Sequence, residues 1–182
     1  MELAAYSFEP LRESDLSLVR SWLLEPHVRR WWDDGSNPPY PDGELEHYRD
    51  AIAGRDPTYR YVASIDGRPA GLIQHYRIGD DAEYAAALAL DEDAIGVDVF
   101  IADAGLVGRG HGPRMLRAFL REVAFPFHGI DVCVIGPSVT NQAAIRAYAK
   151  AGFRPLRVAH VPGEPGPEYL MRVTRAELDS LQ

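Results

Sequence analysis

The sequence predicts a mixed α/β fold in which helices flank a twisted, largely antiparallel sheet. Three observations predict it. Apolar helical stripes alternate with short strand-like runs along the whole chain, Asp66-Gly67 is a hairpin signal, and a strand, a glycine-rich turn and a helix succeed one another between Gly96 and Pro126. With 182 residues, 46% of them hydrophobic, the chain can bury one sizeable core but not two of ordinary size, so residues 1–182 are expected to form one domain.

Tyr6, Phe8 and Leu11 mark a first strand; Ser14 then caps a helix whose stripe is Leu16, Val19 and Leu23, closed by Pro26. A short helical segment covers His27 to Trp32, and residues 33–39 read as turn and loop. Trp31 and Trp32 serve either as a plug over the core or as walls of a ligand site. Glu44 to Ala53 is helical and ends at Gly54. Tyr59 to Ile65 and Ala70 to Tyr76 form a hairpin, because Asp-Gly takes the positive φ angles that a tight turn demands. Asp80 to Asp93 is left open between a short helix and a loop. Gly96 to Ile101 is a strand. A helix starting at Pro113 carries the stripe Leu116, Phe119, Leu120 and Val123 and stops at Pro126. A strand at Val132 to Ile135, a helix from Asn141 to Ala151 ended by Gly152, and two strands separated by residues 162–167 complete the chain.

The formal charge of -8, with acidic clusters at Asp33-Asp34, Asp80-Asp81 and Asp91-Glu92-Asp93, disfavours nucleic acid and anionic membranes and suits a cationic small molecule. The same charge would also serve solubility alone. The single Cys133 sits in an apolar run and reads as core, and the six His residues have no metal-ligand spacing, so no metal is expected. No segment reads as a signal peptide or membrane span, which leads to an expected cytoplasmic location, as monomer or homodimer.

The chemistry concentrates at Val107-Gly108-Arg109-Gly110-His111-Gly112, followed by Pro113 and Arg114. Alternating glycines let the backbone bend tightly and aim N–H groups at an anion at the start of a helix, a cradle for a pyrophosphate. A dinucleotide fingerprint would need glycine where Pro113 stands, and a P-loop would need Lys and Ser or Thr after the last glycine.

This turn is similar to the acetyl-CoA signature of the GNAT acetyltransferases. The segment from Asn141 to Phe153, NQAAIRAYAKAGF, resembles the second motif of that family. Val107 departs from the Gln or Arg that many members carry there. Within the superfamily the pattern resembles the aminoglycoside 6'-N-acetyltransferases over nearly the whole chain, through Trp22-Leu23, Trp31-Trp32, Gln74-His75-Tyr76, Gly96-Val97-Asp98 and Glu168-Tyr169-Leu170-Met171. The resemblance implies the GNAT fold, with a splayed central strand pair, and acetyl-CoA as co-substrate. It departs at Gly136-Pro137-Ser138, where close relatives place an Asp associated with gripping the drug.

Acyl transfer to an amine needs an uncharged nitrogen, donors for the oxyanion and a proton for the leaving thiolate. The resemblance implies that Val99, Phe100 and Ile101 offer main-chain N–H groups to the thioester carbonyl and pantetheine arm. Asn141 and Ala144 join the glycine turn on the cofactor, and Tyr148 is the general acid. Asp98 is the acceptor-side carboxylate. An ordinary Asp, with a pKa of about 3.9, is a poor base for an ammonium, so it anchors the amine or acts through water. Trp31, Trp32, Gln74, Tyr76, Asp81, Glu92, Asp93 and Glu164 are candidates for the amine-binding cleft. The alternative acceptors are a polyamine, an amino-sugar or a siderophore hydroxylamine. A non-catalytic acyl-CoA or cation sensor is a further alternative, and it would need neither Tyr148 nor Asp98.

Overall fold

The structure is a computed structural model that describes residues 4–33 and 39–181. Its strands hydrogen-bond in the order β1 (Tyr6–Pro10), β2 (Tyr59–Ile65), β3 (Arg68–Arg77), β4 (Ile95–Ile101), β5 (Val132–Ile135), β7 (Glu168–Thr174) and β6 (Arg154–Ala159), and the chain divides into two compact units, Met1–Gln74 with Val99–Val107, and His75–Asp98 with Gly108–Gln182.

In the first unit β1 (Tyr6–Pro10) pairs antiparallel with β2 (Tyr59–Ile65), and β2 turns through Asp66 (φ 50°) and Gly67 (φ 75°) into β3 (Arg68–Arg77). This is the predicted hairpin, and its turn is further held by Asp66 Oδ1, which accepts the Ala5 N–H at 2.8 Å. Three helices cover the unit: α1 (Leu16–Leu23), α2 (Pro26–Trp32) and α3 (Asp42–Ile52). Their apolar faces, including Val19, Leu23, Val28, Leu45 and Tyr48, bury against Val62 and Leu72. Ser14 does not cap α1; it lies in a 3-10 turn whose Asp15 carboxylate accepts the Arg12 N–H at 2.9 Å. Pro26 ends α1 by opening α2, whose first turn needs no N–H from it. Of the loop expected at 33–39, residues 34–38 lie outside the described residues.

The second unit holds α4 (Ala82–Leu88), the first part of β4 (Ile95–Ile101), α5 (His111–Phe119), α6 (Phe125–His128), β5 (Val132–Ile135), α7 (Gln142–Ala151), β6 (Arg154–Ala159), β7 (Glu168–Thr174) and α8 (Arg175–Asp179). The open question at Asp80 to Asp93 resolves as a helix because Asp81 caps it, accepting the N–H groups of Glu83 and Tyr84 at 3.0 and 2.9 Å. β7 pairs antiparallel with both β5 and β6, while β4 and β5 run parallel. The parallel register comprises only Ile95↔Cys133 and Gly96↔Val134, and Val97 and Asp98 continue β4 beyond it. This is the opening of the strand pair that the family resemblance implied.

The helix after the glycine turn departs from expectation at both ends. It begins at His111 rather than Pro113, and it passes through a π turn, Leu120–Ala124, into α6 instead of stopping at Pro126. The wider i→i+5 turn inserts one residue, and Pro126 follows at the start of a fresh helical turn. The same insertion moves the core stripe by one position. Leu116, Phe119 and Leu120 are buried as predicted, but Ala124 and Phe125 replace Val123. Gly129, at φ 65°, finally ends the helix. The terminal helix α8 was missed, although Thr174 and Glu177 form a reciprocal capping box, a pattern legible as Thr-x-x-Glu.

Candidate active site

The second unit brings the sequence-predicted catalytic pair into one electrostatic neighbourhood. On β4, Gly96 and Asp98 lie two residues apart and so project to one face of the strand. Gly96 has to be glycine there: a Cβ would run into the Tyr76 ring, with the hydroxyl oxygen only 2.7 Å away. Tyr76 in turn stands against Tyr84 of α4, hydroxyl to hydroxyl at 3.4 Å. Burial first, and then the charge of Asp98, push the Tyr76, Tyr84 and Tyr148 hydroxyls well above the ordinary phenol range. Asp98 is thus the charge that Tyr76, Tyr84 and Tyr148 share. Tyr148 also packs against Phe153, ring centroids 6.2 Å apart, so it has an aromatic packing role as well. Its hydroxyl keeps its proton through neutral and mildly alkaline pH, as a proton donor requires.

The glycine turn leads into α5 with Gly108 at φ 78° and Gly110 at φ 82°, the left-handed conformation that side chains oppose. Space beside Gly108 is open, and beside Gly110 the nearest group is an Arg114 guanidinium nitrogen at 3.9 Å. Arg109 and Arg114 are exposed, while His111, Gly112 and Pro113 form the first helical turn. Tight backbone, a helix start and two exposed guanidinium groups are the donor set that a pyrophosphate needs. Asn141 caps α7, its Oδ1 accepting the Ala144 N–H at 3.1 Å, so these two predicted cofactor contacts also serve the helix. Val107, Val99, Phe100 and Ile101 belong to the first unit; Val107 is half-exposed, and the Ile101 carbonyl meets His27 Nε2 at 2.9 Å.

The candidates for the amine cleft divide. Trp32 is a plug: its Nε1–H donates to the Tyr48 hydroxyl at 2.9 Å, and its ring stands edge-on to Phe100 at 4.9 Å. Trp31 is exposed, with the Arg30 guanidinium 4.8 Å over its ring. Gln74 is half-buried in the first unit. Three of the expected acids have structural partners. Asp81 is the α4 cap, Asp93 pairs with Arg77 at 2.7 Å, and Glu92 pairs with Arg172 at 2.6 Å. Glu164 is exposed, and its charge reaches Tyr84 and Glu168.

Glu168 was not among the sequence-predicted site residues. It is 9% exposed at the start of β7, and burial, then Glu164 and Asp98, raise its carboxyl from the ordinary 4.5 to about 8. The signal was available, since Glu168 opens directly onto the apolar run Tyr169-Leu170-Met171. Two of the His residues, far apart in sequence, meet in the fold. Fully buried His75 meets His128 ring to ring, Nδ1 to Nε2 at 2.8 Å, and burial, then the charge of His128, lowers its pKa to about 3. Cys133 is buried core as expected, its thiol pushed up by burial and then by Asp98. Among the described residues no group of three or more His, Cys, Asp or Glu is placed to hold a metal ion, and no helix is long and apolar enough to cross a membrane.

A sequence model described as acetyltransferase (GNAT) domain matches residues 12–161. The chain belongs to that family. As a GNAT chain it is 29% identical over 165 residues to an aminoglycoside N(6')-acetyltransferase type 1 of Klebsiella pneumoniae, a match spanning 91% of this chain and 81% of the relative. It is also 29% identical over 111 residues to an N-hydroxyputrescine acetyltransferase of Acinetobacter baumannii, covering 61% of this chain and 49% of that one. Among solved structures, aminoglycoside acetyltransferase AAC(6')-Ib with ribostamycin and coenzyme A superposes at a TM-score of 0.81, with 25% identity and 98% of each chain covered. A further structure of that enzyme carries acetyl-CoA.

Proposed function

We propose that this GNAT chain transfers acetyl from acetyl-CoA to an amino group of a cationic small molecule, an aminoglycoside at its 6'-amine, by direct attack in a ternary complex. One domain spanning 1–182 does this, in the cytoplasm. The observation that carries the reading is Asp98, a carboxylate at the opening of β4 and β5 whose charge acts on Tyr148 and on Tyr76, Tyr84 and Glu168 together. An enzyme needs an acceptor-side carboxylate near a proton donor; a sensor has no use for the donor.

Acetyl-CoA, when bound, supplies the thioester carbon that the amine attacks. On this reading the 108–112 backbone, with Arg109 and Arg114, holds the pyrophosphate. The main chain at Val99 to Ile101 donates to the thioester carbonyl. Asp98 draws in the ammonium and orients it, water carries one proton away, and as the intermediate collapses the Tyr148 hydroxyl protonates the departing sulfur and regains a proton, through water, from the nitrogen that becomes the amide. The similarity to an aminoglycoside N(6')-acetyltransferase over 91% of this chain supports the acceptor class. Kanamycin-type drugs and small polyamines, compared by release of free thiol from acetyl-CoA, test it; no turnover of any aminoglycoside sinks that acceptor.

A second acceptor, a polyamine or hydroxylamine, is favoured by two observations: Gly136 stands where a drug-gripping Asp was expected, and one relative is an N-hydroxyputrescine acetyltransferase. Preferential turnover of polyamines in the same comparison would select it.

A further inference from the structure

Glu168, at the start of β7, is buried beside the segment that follows β5. The backbone on either side of it is tied down, since the Val139 N–H donates to the Pro167 carbonyl at 3.1 Å and the Tyr169 N–H to the Pro137 carbonyl at 2.8 Å. Ser138 bridges to Glu168 itself. The side chain therefore points where the fold directs it, and it points at Gly136. A Cβ built on Gly136 would overlap Glu168 Oε2 and lie 3.0 Å from its carboxyl carbon. The room that any side chain at 136 would take is already occupied by a carboxylate from the opposite strand.

That carboxylate is incomplete. Oε2 is buried and has no hydrogen-bond partner among the described residues, an arrangement that native structures rarely tolerate without a ligand, a water or a proton. Glu164 and Asp98 both repel its charge. A buried carboxyl that faces two other carboxylates is relieved by a proton or by a cation.

We propose that Glu168 is an acceptor-binding residue that takes a second ammonium group of the acceptor, one not acetylated, while Asp98 takes the amine that is. The proposal rests on the amine-acetyltransferase reading above and narrows the acceptor to compounds with at least two ammonium groups. In the free protein Glu168 holds a proton at neutral pH, its carboxyl being raised to about 8, and gives it up when an ammonium arrives at Oε2. Position 136 and position 168 thus share one space, and whichever carries the carboxylate grips the cation.

Steady-state kinetics with kanamycin, spermidine and a monoamine such as phenethylamine test this on the wild type, Glu168→Gln, Glu168→Ala and the exchange variant G136D/E168A. Glu168→Gln, which keeps the shape of the side chain, is expected to raise the KM of the multiply charged acceptor by about tenfold or more while leaving the acetyl-CoA KM within about twofold. The monoamine KM should not move. Calorimetry at pH 7 in buffers of different ionisation enthalpy should find a proton released on acceptor binding in the wild type and none in Glu168→Gln. The exchange variant should recover most of the loss.

Wild-type turnover with an unchanged acceptor KM in both Glu168 variants overturns this proposal and leaves the enzymatic reading standing. Wild-type protein that acetylates none of the amines overturns both. An exchange variant that recovers nothing overturns the claim that the two positions share one space.

Discussion

Two sets of acids, close in sequence character, meet different fates. Asp81, Glu92 and Asp93 lie in the most conspicuously acidic stretch of the chain, and each spends its charge on structure: a helix cap, an Arg172 pair and an Arg77 pair. Asp98 lies far in sequence from Glu164 and Glu168, yet Asp98 and Glu164 both act on Glu168, all three act on the Tyr84 hydroxyl, Asp98 and Glu168 act on Tyr76, and Asp98 acts on Tyr148. The difference teaches that a carboxylate is available to a ligand according to its partners, not according to the density of acids around it. A solvated Asp beside an Arg is neutralised locally; a buried Glu facing other carboxylates must find a proton or a cation.

The largest expected effect lies at Tyr148, the proposed proton donor, on which the charge of Asp98 acts. Tyr148→Phe should lower turnover by about 10²- to 10⁴-fold with acetyl-CoA affinity nearly kept, measured by steady-state kinetics and titration with CoA. Asp98→Asn should likewise reduce turnover, and unchanged turnover in both would remove the assigned roles.

Next in size is a dependence of stability on pH. Glu168 has a folded pKa of about 8 against an ordinary 4.5, so the folded state binds its proton more tightly than the unfolded chain does. The associated stability is fully present below 4.5 and is lost as pH rises through 8. Glu168→Gln should therefore match the wild type in thermal denaturation at pH 4 and melt several degrees higher at pH 9. Equal melting temperatures at both pH values would mean that Glu168 is not strained by its surroundings.

The first set should respond more weakly. Asp81→Ala removes the α4 cap and should cost about 1 kcal/mol in denaturant unfolding, with acceptor KM unaltered. Glu92→Gln, breaking an exposed pair, should cost about 0.5 kcal/mol, and high salt should erase the difference. A large acceptor-KM effect from either would break the division between the two sets.

Much of the architecture was legible because it is local. Asp66-Gly67 determines a tight turn wherever it lies between two strands, Gly152 and Gly54 end helices by their φ preference, and Leu116, Phe119 and Leu120 share a helix face by periodicity alone. The π turn at Leu120–Ala124 was not legible, because widening a turn costs little locally and is decided by what the following residues can bury. The burial of His75 against His128 was hidden for the same reason, the two being 53 positions apart.

For the site, the sequence by itself pointed to the donor side: alternating glycines at 108, 110 and 112 predict an anion cradle by their spacing, and the segment from Asn141 to Phe153 resembles a GNAT motif. On the proposed acceptor side, Asp98 was legible in the sequence, whereas the placing of Glu168 depends on the tertiary structure. Glu168 is 70 residues from Asp98 and 32 from Gly136, differences of 168 − 98 and 168 − 136, and no periodicity links them. It took the antiparallel seating of β7 on the segment after β5 to press one carboxylate into the space left by one glycine. The pKa of a group is a property of that packing, since desolvation and neighbouring charge exist only once the chain has brought them together.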